Sequence, residues 1–164
     1  MLEEKLKIIP AWMFTFLIMD FVIVLIILWA VNKDGNLQEA LSITLIIGAI
    51  FAVTIGFLYL MHFRVKMEYR HFNVRLVPFS RKGRSIEPND INSWQIRPLK
   101  AFSEFKGFGK RIKGNTTAFV TDTKFAVEFE LKNGKKMVVS IRNKEEWQRL
   151  LERSSAWGDK MKVA

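Results

Sequence analysis

KFAVEFELKNGKKMVVSIRNKEEW, residues 124–147, carries three structural signals in a row. Phe125, Val127, Phe129 and Leu131 alternate with Ala126, Glu128 and Glu130, which is the period of a half-buried strand. Asn133-Gly134 then predicts a type I′ hairpin, and Met137, Val139 and Ile141 return along a partner strand. Asn143, with Glu146 three residues on, predicts a capping box. Trp147, Leu150 and Leu151 follow at helical spacing, so the helix has one apolar stripe to lay on a sheet.

Strand periodicity continues upstream. Phe63, Val65, Met67 and Tyr69 alternate with Arg64, Lys66, Glu68 and Arg70. Val74 and Leu76 repeat the pattern, Ile86 and Ile91 flank an EPND turn, and Trp94 and Ile96 lead to a strand end at Pro98. Thr116–Val120 is β-rich. The expectation is about seven short strands closed by one C-terminal amphipathic helix, a small barrel or two-sheet sandwich.

Before residue 63 the pattern is different. Residues 11–31 hold 21 residues with one charge, Asp20, and residues 40–61 hold 22 with none. Each is long enough to cross a hydrocarbon core of about 30 Å as a helix. The first lacks the cleavage site of a signal peptide. A short loop, 32–39, joins them, so a two-helix transmembrane hairpin over 11–63 (helices near 11–31 and 40–62) is expected. The soluble domain would then be 64–155, with 1–10 an N-terminal segment and 156–164 a tail.

Charge sets the orientation. Residues 64–164 carry 23 Lys and Arg against 11 Asp and Glu, and the connecting loop has one lysine. Basic flanks stay in the cytoplasm. Both termini and the soluble domain are therefore expected there, at the inner membrane if the source is a bacterium.

Within the hairpin, Gly48, Ala52 and Gly56 form a small-residue stripe where a helix can approach closely. The first helix is the expected neighbour, and a second copy of the chain is the alternative. A charged aspartate at the centre of a span costs about 2.5–3.5 kcal/mol on insertion scales. Antiparallel register puts Asp20 level with Ala52 to Thr54, and Thr54 is its expected polar partner.

Three stretches together resemble pleckstrin-homology-like (PH-like) domains, specifically the bacterial ones attached to two N-terminal membrane helices. NVRLVPFSRKGRSIEPNDI (73–91) is similar to that family's second and third strands with their basic turn. FKGFGKRIKGNTTAF (105–119) is similar to its aromatic-glycine stretch and the next strand, although Lys106 and Phe108 stand where the family has glycine and tryptophan, and Lys110 intervenes. Residues 124–147 are similar to its last hairpin and helix. The resemblance implies a membrane-anchored α+β protein whose domain is a non-enzymatic binding or scaffold module. Specific inositol phosphate binding is not implied, because YRHFN (69–73) lacks the basic cluster.

Composition excludes several chemistries. With no cysteine there is no disulfide, thiol nucleophile or zinc ribbon. With two histidines and no G-x-x-x-x-G-K-[ST], G-x-S-x-G or H-E-x-x-H, no catalytic residues, metal site or cofactor are expected. Glu128 and Glu130 share a strand face but have Lys132, Lys135 and Lys136 beside them, so surface ion pairing is expected of them. Two basic loops remain: Arg81, Lys82 and Arg84, and Lys106, Lys110, Arg111 and Lys113. Beside an anionic leaflet each cation contributes about 1 kcal/mol. Lipid contact is expected of Arg81, Lys82, Arg84, Lys110, Arg111 and Lys113, with a solvated basic surface as the bland alternative. Nucleic acid is disfavoured, because the aromatic residues sit at inward strand positions. The glycines of EFKGFGKRIKG (104–114) fit a turn or bulge, since no helix follows to bind a phosphate. An unidentified protein partner is expected. The second functional class is a small subunit of a larger membrane complex held through the hairpin.

Overall fold

In a computed structural model, residues 2–31, 37–68, 70–79 and 83–161 are described, apart from the side chains of Val31 and Leu37. The chain divides into two units, residues 9–60 and residues 1–8 with 61–164.

The first unit is a helical pair, α1 (Ala11–Val31) and α2 (Leu37–Leu60). Both are long and apolar enough to span a membrane, and neither span is buried. The second helix begins three residues earlier than predicted. Rings make the seam: Phe21 meets Phe51 at 4.8 Å between centroids, and Phe14 meets Tyr59 at 6.4 Å. The predicted glycine stripe is not that seam. A Cβ on Gly48 would touch Phe21 at 3.9 Å, but Ala52 and Gly56 are exposed and nothing lies within 4 Å of Gly56. Bulky side chains at Phe21 and Phe51 fill the contact, so close backbone approach is not used. Thr54 is not Asp20's partner either. Its hydroxyl donates to the Ile50 carbonyl at 2.8 Å, the usual local outlet for a helical threonine, and Asp20 is exposed.

The second unit holds nine described strands in two sheets. One has order β1-β2-β3-β4, all antiparallel, from β1 (Leu2–Lys7), β2 (His62–Glu68), β3 (His71–Val77) and β4 (Arg84–Ile86). The other has order β5-β8-β9-β7-β6, from β5 (Ile91–Pro98), β6 (Gly109–Lys113), β7 (Thr116–Val120), β8 (Phe125–Leu131) and β9 (Lys136–Ile141). Its β7–β9 pair is parallel. Among the described residues no ladder joins the two sheets, so the expected barrel alternative is not closed. The apolar faces meet through Phe63 on Phe119 (5.4 Å) and Phe72 on Phe129 (4.7 Å).

Four features depart from expectation. Residues 1–10, expected as a segment outside the 64–155 domain, contribute a strand to it: Leu2–Lys7 pairs with β2 along its length. Alternation of Leu2, Glu4 and Leu6 with charged residues is too short to read alone. The 131–135 hairpin is not type I′, because only Gly134 has positive φ (74°). Gly134 N–H donates to the Leu131 carbonyl and Leu131 N–H to that of Lys135, which makes a three-residue loop of 132–134. Helix α4 (Lys144–Arg153) is capped by the Asn143 side chain, but the reciprocal carboxylate is Glu4, not Glu146. Glu4 accepts from the Arg142 and Asn143 backbone N–H groups at 3.1 and 3.3 Å. Finally, the expected tail forms α5 (Ser155–Gly158), which buries Trp157 completely against Phe72 and Phe129.

Candidate functional site: a basic edge strand

Residues 101–114 build the site. Helix α3 (Ala101–Phe105), unforeseen in the sequence, ends at Lys106 in the left-handed region (φ 55°), whose N–H returns to Phe102. Buried Phe105 seats it on Leu99, Ala118, Val120, Ala126 and Val138, the outer face of the five-stranded sheet. Gly107 (φ 130°) then takes a conformation that only glycine adopts freely, and a Cβ there would meet Arg111 Nη2 at 3.0 Å. The Lys106 and Gly107 amides are thus used in ending a helix, donating to the Phe102 and Ala101 carbonyls, and the chain runs on into strand β6. EFKGFGKRIKG closes a helix and then opens the β6–β7 hairpin; the turn was expected from the glycines and the helix end was not.

Strand β6 pairs with β7 on one side and, among the described residues, with nothing on the other. The opposite edge of the same sheet, β5, is covered: Trp94 bridges Met161, and Trp94 N–H donates to the Lys160 carbonyl. Lys110, Arg111, Ile112 and Lys113 are all exposed, Ile112 by 72%. Ladder partners share a face, so Lys110 and Ile112 lie on the side of Phe119 and Thr117. Arg84 reaches that side from β4, with Nη1 3.4 Å from Thr117 Oγ1. One cation from each predicted basic loop therefore flanks Ile112. Arg111 lies over Gly107, and Lys113 Nζ donates to the Glu104 carbonyl at 3.1 Å. None of the described ion pairs uses Arg84, Lys106, Lys110, Arg111 or Lys113. Arg81 and Lys82 lie outside the described residues.

The contrast on the neighbouring face is informative. Nearly buried Glu128 receives Arg97 Nε at 2.5 Å and Lys136 Nζ at 3.2 Å, Arg97 reaches Glu104 at 2.8 Å, and Lys136 reaches Glu130 at 3.0 Å. Arg97, Glu104, Glu128 and Lys136, with Lys113, line a groove of about 320 Å³. Burial alone would raise the Glu128 pKa, but the Arg97 and Lys136 hydrogen bonds outweigh it and hold the carboxyl below the usual range. Arg97 is likewise held above its ordinary value: burial opposes charging, and Glu128 and Glu104 overcome it. Both Glu128 and Glu130 are engaged by cations, which favours the ion-pair reading over acid and base chemistry. Because Glu128 titrates lower when folded, its stabilisation is complete above about pH 4.3 and is lost as pH falls through the folded value. Glu128→Gln should cost about 1.5–3 kcal/mol at neutral pH and reduce the acid-side slope of stability. Urea unfolding followed by tryptophan fluorescence from pH 3 to 7 checks it.

No protein family, curated protein or solved structure matches this chain.

The site therefore rests on its own chemistry. Sequence reading found the cations and missed Ile112, whose signal was an apolar residue set between Arg111 and Lys113 on a strand with no partner beyond it. It also grouped Asp20, Gly48, Ala52, Thr54 and Gly56 as helix-packing residues; of these Gly48 faces the first helix at Phe21, while Asp20, Ala52, Thr54 and Gly56 are exposed.

Proposed function

We propose that this chain is an integral membrane protein, with both termini in the cytoplasm, whose PH-like domain is a non-enzymatic binding module that docks on anionic lipid headgroups through β6. The observation that carries this is the exposed Ile112, flanked on its own face by Arg84 and Lys110, with Arg111 and Lys113 on the other face of the same open edge strand and none of the four in a described ion pair. Tethering supports it. Met61 alone separates α2 from β2, so His62 lies within about 7 Å of the helix end in any arrangement. Phe63 meets Phe119, the ladder partner of Lys110, edge to face, so the Lys110 end of β6 lies near the point where the chain joins the domain. The two sheets and closing helix support the PH-like reading. A protein partner would be recruited to a domain already oriented on the surface.

The chain has no cysteine, so Asn115→Cys at the β6–β7 turn gives one labelling site. In nanodiscs, a nitroxide there should be protected from aqueous quencher with anionic lipid, and not with zwitterionic lipid or at high salt. Reversing Lys110, Arg111 and Lys113 to Glu should lower the docked population roughly a hundredfold, at about 1 kcal/mol for each cation removed. Equal protection in both lipids, or protection that survives the reversal, would sink the proposal.

A second reading, a subunit held in a larger membrane complex through its hairpin, is favoured by one observation: the exposed aspartate in the middle of α1.

A further inference from the structure

Asp20 is the tenth of the 21 residues of α1 and the one acidic residue of either helix away from its ends. The Phe21–Phe51 and Phe14–Tyr59 contacts set the antiparallel register and put Asp20 level with Ala52, which offers no polar atom. The serine and threonine hydroxyls of α2 are committed within their own helix. Ser42, Thr44 and Thr54 each donate to the carbonyl four residues back, at 2.9, 2.8 and 2.8 Å. The seam side of α1 is apolar, with Phe14, Leu17, Phe21, Val24 and Leu28 half-buried there, while Asp20 is exposed. The helical pair therefore leaves its one central acid without an internal partner, on the face it turns outward.

We infer that Asp20 is a recognition point for a transmembrane helix of another protein that presents a lysine or arginine at the same depth. This rests on the subunit reading and names the chemistry of the partner. Charge complementarity selects the occupant. Intramembrane acids persist where a cation or a polar cavity meets them. A second copy of this chain offers only another Asp20 at that depth, and neither span contains a lysine or arginine. A water-filled path would need further polar side chains facing outward with Asp20, and the serine and threonine hydroxyls of α2 donate to their own backbone.

The test uses the full chain in bilayers with a donor at Ala11→Cys. The probes are leucine-rich host helices carrying lysine, leucine or aspartate at the centre and an acceptor at one end. The lysine host should associate about five- to thirtyfold more tightly than the leucine host, the range of one interhelical polar contact. Asp20→Leu should reduce it to the leucine level, and Asp20→Glu should retain it, with helix content by circular dichroism unchanged in both. The inference is overturned if lysine and leucine hosts bind alike, or if Asp20→Leu leaves lysine-host binding intact. It is also overturned if donor- and acceptor-labelled copies of the chain associate with one another more tightly than with the lysine host in an Asp20-dependent way. The subunit reading fails separately, if the chain extracted from its native membrane migrates as a monomer while the lysine host still binds.

Discussion

Deleting residues 2–7 will unfold the two-sheet domain while leaving the helical pair intact. Strand β1 is an edge strand, and edge strands are often dispensable, but this one holds three unrelated parts of the fold. Leu6 is 2% exposed in the core, and losing a buried leucine costs about 2–5 kcal/mol. Glu3 pairs with Arg64 at 3.2 Å across the ladder, an exposed pair worth little by itself. Glu4 accepts the two backbone N–H groups that open α4, and charge-assisted bonds of this kind contribute about 1.5–3 kcal/mol. Together with the lost ladder this rivals the roughly 5–15 kcal/mol that holds a typical domain folded. Hydrogen exchange in nanodiscs should show β8 and β9 amides unprotected in the deletion and α1 and α2 amides protected as before. Glu4→Gln should cost less, about 1–2 kcal/mol, and show as fraying confined to α4. Protection of β8 and β9 that survives the deletion would refute this account. A soluble fragment beginning at residue 64 is expected to misfold for the same reason, since it lacks β1 and the start of β2.

The parts of the fold legible in the sequence were those whose pattern repeats locally. Phe125 to Ile141 shows two alternating strands around a glycine, and α4 announces itself by Asn143 and the Trp147–Leu150–Leu151 stripe. The two long apolar runs needed only length. What escaped was non-local. Leu2–Lys7 is strand because β2, more than fifty residues on, supplies its partner. Asn133-Gly134 reads as type I′, yet tertiary register moved Lys132 into the loop and left Asn133 without positive φ. Gly48, Ala52 and Gly56 satisfy a packing motif, but the Phe21–Phe51 contact turned the last two outward. At the candidate site the charges were visible and the geometry was not, since joining Arg84 to Lys110 and Ile112 requires two sheets to meet.

Truncation after Ser154 should have the other large effect, although the segment it removes looks like a polar tail. The Trp157 ring is fully buried between Phe72 and Phe129, and its carbonyl accepts Trp94 Nε1 at 2.7 Å. Lys160 follows: its carbonyl accepts Trp94 N–H at 2.9 Å, and its ammonium donates to the Pro88 and Ile91 carbonyls. Removing the segment empties a tryptophan-sized space, about 3–5 kcal/mol, and strands a buried indole N–H, about 1–3 kcal/mol more. It also uncovers β5, so the sheet would have two open edges and a route to aggregation. Single substitutions separate these contributions. Trp157→Ala keeps the backbone that serves Trp94 and should lose only the cavity share. Trp157→Phe should cost less than about 1.5 kcal/mol, because the Trp157 indole N–H has no partner to lose. Urea midpoints should therefore fall in the order wild type, Trp157→Phe, Trp157→Ala, truncation. If Trp157→Ala matches the truncation, the Lys160 and Trp94 bonds contribute nothing, and the ring alone holds the C-terminal segment against β5.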